Sequence, residues 1–273
     1  MKEMLTRRGA LASIAGLTAV GGLTGITASS FGATPVAIRV AAASDLKFAL
    51  TALVKSFTEV TGVQVELQFG SSGNFAQQIQ QGLPLDLFLS ADEGYVSSLA
   101  QAGLTQDRGV LYATGRLALI LPKNSALQLP KSELEAKLSL PAQLQTIRKF
   151  AIANPEHAPY GRAAKEALQN LSLWESLQTK LVLGDNISQA TQFVTSGAAQ
   201  AGITALSLAL APEVAAQLAS QDGGYWLIPT HLHTPLKQRM VLLKSAQATA
   251  KTLFDYLQKP AARHVLAKYG FTI

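Results

Sequence analysis

Four short segments of the sequence carry hydroxyl-bearing or small residues at points where a strand-like apolar run gives way to a helical one. They read ASDL at 43–46, GSSG at 70–73, APYG at 158–161 and DNIS at 185–188. Hydroxyl groups occur in all four segments, and none of the segments contains Lys or Arg. Helix N-termini add unpaired N–H groups and a partial positive charge. Together these features predict that an oxyanion is bound by neutral donors rather than by ion pairs.

A simpler interpretation is that each Ser or Asp in these segments caps its own helix, as these residues do in many proteins. For a single segment this interpretation would be the better one. Four such segments, two in each half of the chain, favour a binding site. Fixed N–H and O–H donors would also make the site selective, because they reject a protonated ligand that brings its own donor.

The elements that position these segments alternate between strands and amphipathic helices. Strands are predicted at 36–44, 63–69, 85–91, 115–122, 149–155, 180–186, 201–206 and 238–244. The first three, with their helices, give a βαβαβα order, which indicates a parallel sheet. The section 123–148 is less regular, and 248–271 resembles a helical pair broken at Pro260. Because ligands of open α/β sheets lie beyond the carboxyl ends of the strands, the four segments are expected to converge.

Composition limits the class of protein. A chain of 273 residues with 48% hydrophobic content can bury a full core in one or two domains. The formal net charge of +6 is spread thinly, without a basic run after Arg8, so a nucleic-acid surface is not expected. The absence of cysteine excludes disulfides and thiolate metal sites, and it argues against a lipid-anchored N-terminal Cys.

Residues 1–33 have the pattern of an export signal. The pair Arg7-Arg8 precedes a mildly apolar stretch rich in Gly, Ala and Thr, which ends in small residues near Ala33. This stretch is too weakly apolar for a membrane span, and paired arginines before it predict a twin-arginine signal peptide. The alternative is an ordinary basic, disordered N-terminus. The signal interpretation predicts a mature protein that is free in the periplasm.

Six motifs together resemble the molybdate-binding proteins of periplasmic ABC transport systems. In chain order they are AAASDLKFAL, FGSSGNFAQQI, LDLFLSADE, IANPEHAPYGRAAKEAL, GDNISQA and KYGFTI. The resemblance implies an α/β, two-lobed periplasmic-binding-protein fold of class II, with a mixed sheet in each lobe and the ligand in the interlobe cleft. It implies that 34–114 and 231–273 form lobe I and that 115–230 form lobe II. The hinge is expected near 112–116 and 228–238.

The resemblance also implies a function and a ligand set. The protein would be a monomer that binds molybdate or tungstate, uses no cofactor, and closes about a hinge before docking on an ABC permease. Carried over by position, Ser44 and Ser72 supply hydroxyls and amides, and Asp45 and Ile187 supply backbone N–H groups. Tyr160 supplies its amide, with its hydroxyl as a second candidate donor. No residue would bind the molybdenum atom directly.

The chain departs from the family pattern at two positions. Many members have Tyr where this chain has Ala205, and those members have a small residue where this chain has Tyr160, so Tyr160 is expected to take over the contact. Some relatives have Asn or Thr in place of Asp45. Because a carboxylate would be repelled by a dianion, the Asp45 side chain is expected to turn away and stabilise the helix N-terminus.

Other functions remain open on the sequence. The ligand could be sulfate or phosphate, since the sequence does not give the cavity radius. A phosphate-ester hydrolase with Ser44 or Ser72 as nucleophile would need a nearby base, and no His lies within the four segments. No G-x-S-x-G motif is present either, so the protein is predicted not to be an enzyme.

Several polar residues are predicted to be structural rather than functional. His231 and His233 lack a third metal ligand nearby, so a polar loop is the better interpretation. Asp86 and Asp92 are assigned capping and turn roles rather than paired catalytic ones. Arg116, a cation at the cleft edge, is left outside the ligand set.

Overall fold

A computed structural model of the protein describes residues 37–219 and 224–273. The strands are β1 (Ile38–Ala43), β2 (Val65–Gly70), β3 (Leu87–Ser90), β4 (Val110–Gly115), β5 (Leu117–Ile120), β6 (Phe150–Ala153), β7 (Leu181–Gly184), β8 (Ala201–Ala205), β9 (Tyr225–Leu227) and β10 (Leu236–Leu242). The α-helices are α1 (Lys47–Thr61), α2 (Ser72–Gln80), α3 (Glu93–Gln101), α4 (Glu133–Gln145), α5 (Pro159–Asn170), α6 (Trp174–Leu177), α7 (Ile187–Thr195), α8 (Leu206–Ala209), α9 (Pro212–Ala215), α10 (Ala250–Leu257) and α11 (Pro260–Lys268). The predicted signal peptide, residues 1–33, lies outside the described residues.

The strands form two mixed five-stranded sheets of the same design. The first sheet has the order β2-β1-β3-β10-β4, and the second has the order β7-β6-β8-β5-β9. In the first sheet β1 runs parallel to β2 and β3, whereas β10 is antiparallel to both of its neighbours. In the second sheet β6 runs parallel to β7 and β8, and β5 is antiparallel to β8 and β9. We call the parts built on these sheets lobe I and lobe II. The predicted two-lobed α/β fold is confirmed.

Each sheet is covered by helices, because its inner strands β1, β3, β6 and β8 are largely apolar and buried. In lobe I, Phe57 of α1 packs on one face of the sheet together with α10 and α11. Phe75 of α2 and Phe88 of β3 belong to a second cluster, in which their rings meet edge to face at 6.5 Å. β3 and β6 are buried along their whole length, as expected of inner strands of a sheet that is covered on both sides.

The chain passes between the two sheets twice. Arg116 alone separates β4 of the first sheet from β5 of the second. The return runs from β9 to β10 through residues 228–235 and includes a 3₁₀ turn at Thr230–Leu232. These crossings bring the carboxyl ends of the parallel strands of both sheets toward the same cleft.

The structure adds elements that the sequence patterns did not predict. β4 and β9 complete the two sheets, and α4 occupies much of the section expected to be irregular. Conversely, the predicted C-terminal helical pair is confirmed, with α11 beginning at Pro260. Within 37–219 and 224–273, no helix is long and apolar enough to cross a membrane.

Candidate functional site

The four predicted segments meet around one small cavity between the lobes. Its empty volume is about 190 Å³, open solvent included. The lining residues are Ala43, Ser44, Asp45, Gly70, Ser71, Ser72, Ala91, Ala158, Pro159, Tyr160, Asn186 and Ile187. All five residues assigned to the ligand from the sequence are in this set, and each is buried. As far as the structure describes the chain, Asp45 is the one ionisable side chain other than a tyrosine in this lining.

The helices present their N-termini to the cavity. A 3₁₀ turn at Ser44–Leu46 leads into α1, and α2, α5 and α7 begin at Ser72, Pro159 and Ile187. Pro159 at the first position of α5 fits this arrangement, because its missing N–H would have no partner inside the helix. The N-terminal ends of helices from both lobes therefore surround the same small volume.

Most of the residues at the starts of these helices form no side-chain cap in the described structure, so the capping interpretation is wrong for them. Ser71 occupies the N-cap position of α2, yet no side-chain capping bond is found there in the described structure. The turn at Ser44 likewise has no side-chain cap among the described contacts. Asn186 is the exception, since its side chain accepts a hydrogen bond from the Gln189 N–H at 3.1 Å and caps α7.

Ser44 links the two lobes. Its hydroxyl accepts a hydrogen bond from the Ser188 N–H at 3.2 Å, and the Ser188 hydroxyl donates to the Ser44 carbonyl at 2.9 Å. The start of α1 in lobe I is thereby joined to the first turn of α7 in lobe II. Near this point a wider groove begins, with an empty volume of about 1390 Å³, open solvent included, and it shares Ser44 and Asn186 with the cavity.

The two serines of the GSSG segment have different partners. Ser72 accepts a hydrogen bond from the Ala91 N–H at 2.9 Å, so its own proton is free to be donated elsewhere. Ser71 donates to the His157 carbonyl at 2.7 Å and lies 3.0 Å from His157 Nδ1. Ser71 therefore holds the loop before α5, and Ser72 is the better candidate for a ligand contact.

Gly73 makes a close approach between the lobes. Its N–H donates to the His157 carbonyl at 3.1 Å, and a Cβ at this position would overlap that carbonyl oxygen. His157 was not predicted as part of the site, although it lies one residue before the third segment. Its role is visible only in three dimensions, because its partners are more than 80 residues away along the chain.

The Asp45 carboxylate is buried and takes part in an interlobe network. Its Oδ2 accepts hydrogen bonds from Tyr160 Oη of lobe II at 2.9 Å and from Gln238 Nε2 at 2.6 Å. Burial raises its pKa from 3.8 to about 6, although the hydrogen bonds from Gln238 and Tyr160 and the nearby backbone N–H groups of Asp45 and Leu46 lower it. Its Oδ1 has no partner in hydrogen-bonding geometry among the described residues.

The network continues to the strands that flank the lobe crossings. Tyr112 of β4 donates to Gln238 Oε1 at 2.7 Å, and Gln238 belongs to β10. Burial, together with the nearby Asp45 carboxylate, raises the pKa of Tyr112 and of Tyr160 well above 10, so both phenols are neutral. Sequence reasoning missed Tyr112 and Gln238. The available signal was a Gln on the face of β10 that otherwise carries Leu236, Met240 and Leu242.

Asp86 and Asp92, to which structural roles were assigned from the sequence, have structural partners. Asp92 caps α3 by accepting from the Gly94 N–H at 2.8 Å, and it pairs with Arg162 of lobe II at 2.5 Å. Asp86 accepts from the Arg39 N–H at 2.8 Å and from the Gln247 N–H at 3.0 Å. Burial alone would raise the pKa of Asp86, but these hydrogen bonds hold it below its ordinary value. The capping role predicted for Asp92 is confirmed, whereas Asp86 joins β1 to the segment after β10.

The two histidines of the 231–233 segment point to different partners. His231 Nε2 lies 2.8 Å from Glu133 Oε2, and the buried His233 donates from Nδ1 to the Thr234 carbonyl at 2.8 Å. Within the part of the chain that the structure describes, no group of three His, Cys, Asp or Glu side chains is placed to hold a metal ion.

Comparison with known proteins places this geometry in a family. The family described as bacterial extracellular solute-binding protein matches residues 38–272. The chain is 37% identical to the molybdate-binding protein ModA of Rhodobacter capsulatus over 218 residues, covering 79% of this chain and 80% of that protein. It is 33% identical to ModA of Azotobacter vinelandii over 237 residues, covering 86% and 89%. The solved structure of the periplasmic molybdate-binding protein of Azotobacter vinelandii superposes with a TM-score of 0.76 at 29% identity, covering 86% of this chain and 99% of that one.

Proposed function

The chain belongs to the bacterial extracellular solute-binding protein family, in its molybdate-binding branch. From this premise we propose that it binds molybdate and also tungstate, and that it delivers them to an ABC permease. The observation that carries the proposal is the small interlobe cavity that four helix N-termini, two from each lobe, surround. Neither Lys nor Arg lines it in the described structure. Such a cavity suits a small tetrahedral dianion that fixed N–H and O–H donors can surround. The relatives named above are binding proteins rather than enzymes.

The proposed ligand set follows the donors in the cavity. Ser44 and Ser72 contribute hydroxyl and amide groups, and Asp45 and Ile187 contribute their backbone N–H groups. Tyr160 contributes its amide alone, because its hydroxyl already donates to Asp45 at 2.9 Å. The protein binds the oxygen atoms of the oxyanion, and no side chain bonds to the molybdenum.

Binding is proposed to close two lobes about a hinge, a motion that periplasmic binding proteins use to enclose their ligands. Lobe I comprises 34–114 and 231–273, and lobe II comprises 115–230. The membership of the strands in two sheets supports this division except at Gly115, the last residue of β4, since the first sheet uses β1–β4 and β10 and the second uses β5–β9. The crossings at Arg116 and at 228–235 are the proposed hinge.

The proposed site of action is the periplasm, where the protein acts as a monomer after export by the twin-arginine route. Arg7-Arg8 and the weakly apolar stretch that follows support this proposal. Replacing both arginines by lysine is expected to leave the precursor in the cytoplasm, as measured by cell fractionation. Unchanged export would contradict the twin-arginine route but not the binding function.

The binding function is tested by isothermal titration calorimetry of the mature protein with molybdate, tungstate, sulfate and phosphate. We expect molybdate and tungstate to bind much more tightly than the other two anions. The double variant S44A/S72A is expected to lose this binding, whereas S97A, which alters an exposed serine of α3, retains it. If molybdate and tungstate bind no more tightly than sulfate, the protein is a carrier of a different oxyanion.

A further inference from the structure

We propose that Asp45 takes up one proton when a tetrahedral dianion enters the cavity, an inference that rests on the proposed function. The starting observation is the buried carboxylate of a residue that lines a cavity of otherwise neutral donors. Asp45 is 1% exposed, so water cannot solvate its charge once the cavity is filled. A dianion bound beside an ionised Asp45 would place three negative charges in one small, dry volume.

The two carboxylate oxygens of Asp45 are not equivalent. Oδ2 accepts from Tyr160 Oη and from Gln238 Nε2, so its lone pairs are engaged. Oδ1 is buried and lacks a hydrogen-bond partner within 37–219 and 224–273. We therefore assign the new O–H bond to Oδ1, with the proton drawn from the solvent. Both hydrogen bonds to Oδ2 persist when Oδ1 is protonated.

The groups that face Asp45 from the neighbouring elements do not neutralise its charge. Tyr160 of α5 and Tyr112 of β4 are neutral phenols, and Gln238 of β10 is an amide. From α8, the Ser207 hydroxyl donates to the Asp45 carbonyl at 2.7 Å. The sequences of α7 and α8 contain no charged residue.

The one cation close along the chain is not a partner of Asp45. Lys47 is exposed, lines the outer groove and holds its ammonium group 5.7 Å from the centre of the Phe48 ring. Burial has already moved the pKa of Asp45 to about 6 in the empty cavity. A dianion in contact with the same cavity repels the ionised carboxylate further, and protonation removes that repulsion.

The proton uptake is measured by titrating the mature protein with molybdate at about pH 7.5 in two buffers of different ionisation enthalpy, Tris and HEPES. The apparent binding enthalpy is expected to vary between the buffers with a slope of about one proton per molybdate. Between about pH 7 and pH 8, the molybdate affinity is expected to fall about tenfold, because the concentration of free protons falls about tenfold and one proton is taken up per molybdate.

Asp45→Asn is the matched variant, since the neutral amide has the shape of the protonated acid. We expect it to bind molybdate with the same enthalpy in both buffers and with an affinity that does not change with pH. Buffer-independent enthalpy in the unaltered protein would overturn the proposal and leave the binding function intact. Equal proton uptake in the variant would overturn the assignment to Asp45. Absence of any molybdate binding would overturn the proposed function and the coupling with it.

Discussion

Ser72 is the residue whose hydroxyl is best placed to contact the ligand. Its oxygen accepts from the Ala91 N–H, and its proton is left for a partner in the cavity. We expect Ser72→Ala to weaken molybdate binding by about 1.5–3 kcal/mol, the range for a hydrogen bond to a charged group. Calorimetric titration measures this loss, with S97A as the control for a serine outside the site. An unchanged affinity would remove Ser72 from the ligand set.

At the residue scale, the sequence was sufficient to place the proposed donors in the cavity lining, but not to find the residues that hydrogen-bond to them. Ser44, Ser72, Tyr160 and Ile187 were identifiable because each follows a strand and opens a helix, a position that local patterns reveal. Gln238 was not identifiable, because it lies 193 residues from Asp45 and its role depends on how the two sheets are joined. Long-range hydrogen bonds leave no periodic signal in a sequence.

Among the secondary-structure elements, the contact between the N-terminus of α2 and the loop before α5 depends on the absence of a side chain at Gly73. We expect Gly73→Ala to weaken molybdate binding by about 1–3 kcal/mol, the usual range for overpacking, because a Cβ would collide with the His157 carbonyl in this arrangement. Calorimetry gives the affinity, and small-angle scattering with saturating molybdate shows whether the lobes still approach each other.

The control for this variant is Gly62→Ala. Gly62 ends α1 with a φ of 73°, in the left-handed region, and a Cβ there would meet open space. That change is expected to lower the free energy of unfolding through backbone strain, while molybdate affinity stays the same. If G73A and G62A weaken binding equally, the loss reflects general destabilisation rather than the contact between lobes.

Helix α4 shows why some elements escape sequence analysis. Ala136, Leu140 and Leu144 form its buried face, but Leu134 and Leu138 are 68% and 72% exposed on another. Apolar residues on both faces remove the periodic signal of an amphipathic helix, and Pro141 in the interior argues against a helix as well. The remaining signal was the sequence SELE at 132–135, which has the spacing of a capping box.

The cap of α4 can be tested by Ser132→Ala. The Ser132 hydroxyl accepts from the Glu135 N–H at 3.1 Å, so its loss is expected to lower the free energy of unfolding by about 1 kcal/mol. Urea denaturation measures this change, and molybdate affinity should be unaffected because α4 contributes no residue to the cavity lining. S97A replaces a serine inside α3 and should not destabilise the protein. Equal effects of the two variants would contradict the capping role.

For the whole molecule, the arrangement of the two sheets explains how the site could be predicted before the fold was known. The parallel strands of both sheets end at one cleft. The segments that follow these strands therefore meet in that cleft. The sequence could not show how tightly they meet. The Asp92–Arg162 and Ser44–Ser188 contacts depend on the relative position of two lobes, which local patterns do not encode.

Asp45 also makes the stability of the ligand-free protein depend on pH. Its pKa is 3.8 without the protein environment and about 6 when buried, so the folded protein holds more protons than the unfolded chain between these values. The free energy of unfolding therefore falls as the pH rises through this window, by about 3 kcal/mol in full. In Asp45→Asn this loss is absent.

We therefore expect the stability advantage of Asp45→Asn over the unaltered protein to be larger at about pH 7.5 than at about pH 4, as measured by urea denaturation without ligand. Tyr160→Phe provides a second test, because it removes a hydrogen bond that lowers the pKa of Asp45 and so extends the window to higher pH. A stability difference that stays constant across this range would mean that Asp45 does not carry a buried charge in the folded protein. Protonation on ligand binding would then lose its physical cause, since a solvated carboxylate could remain ionised beside the dianion.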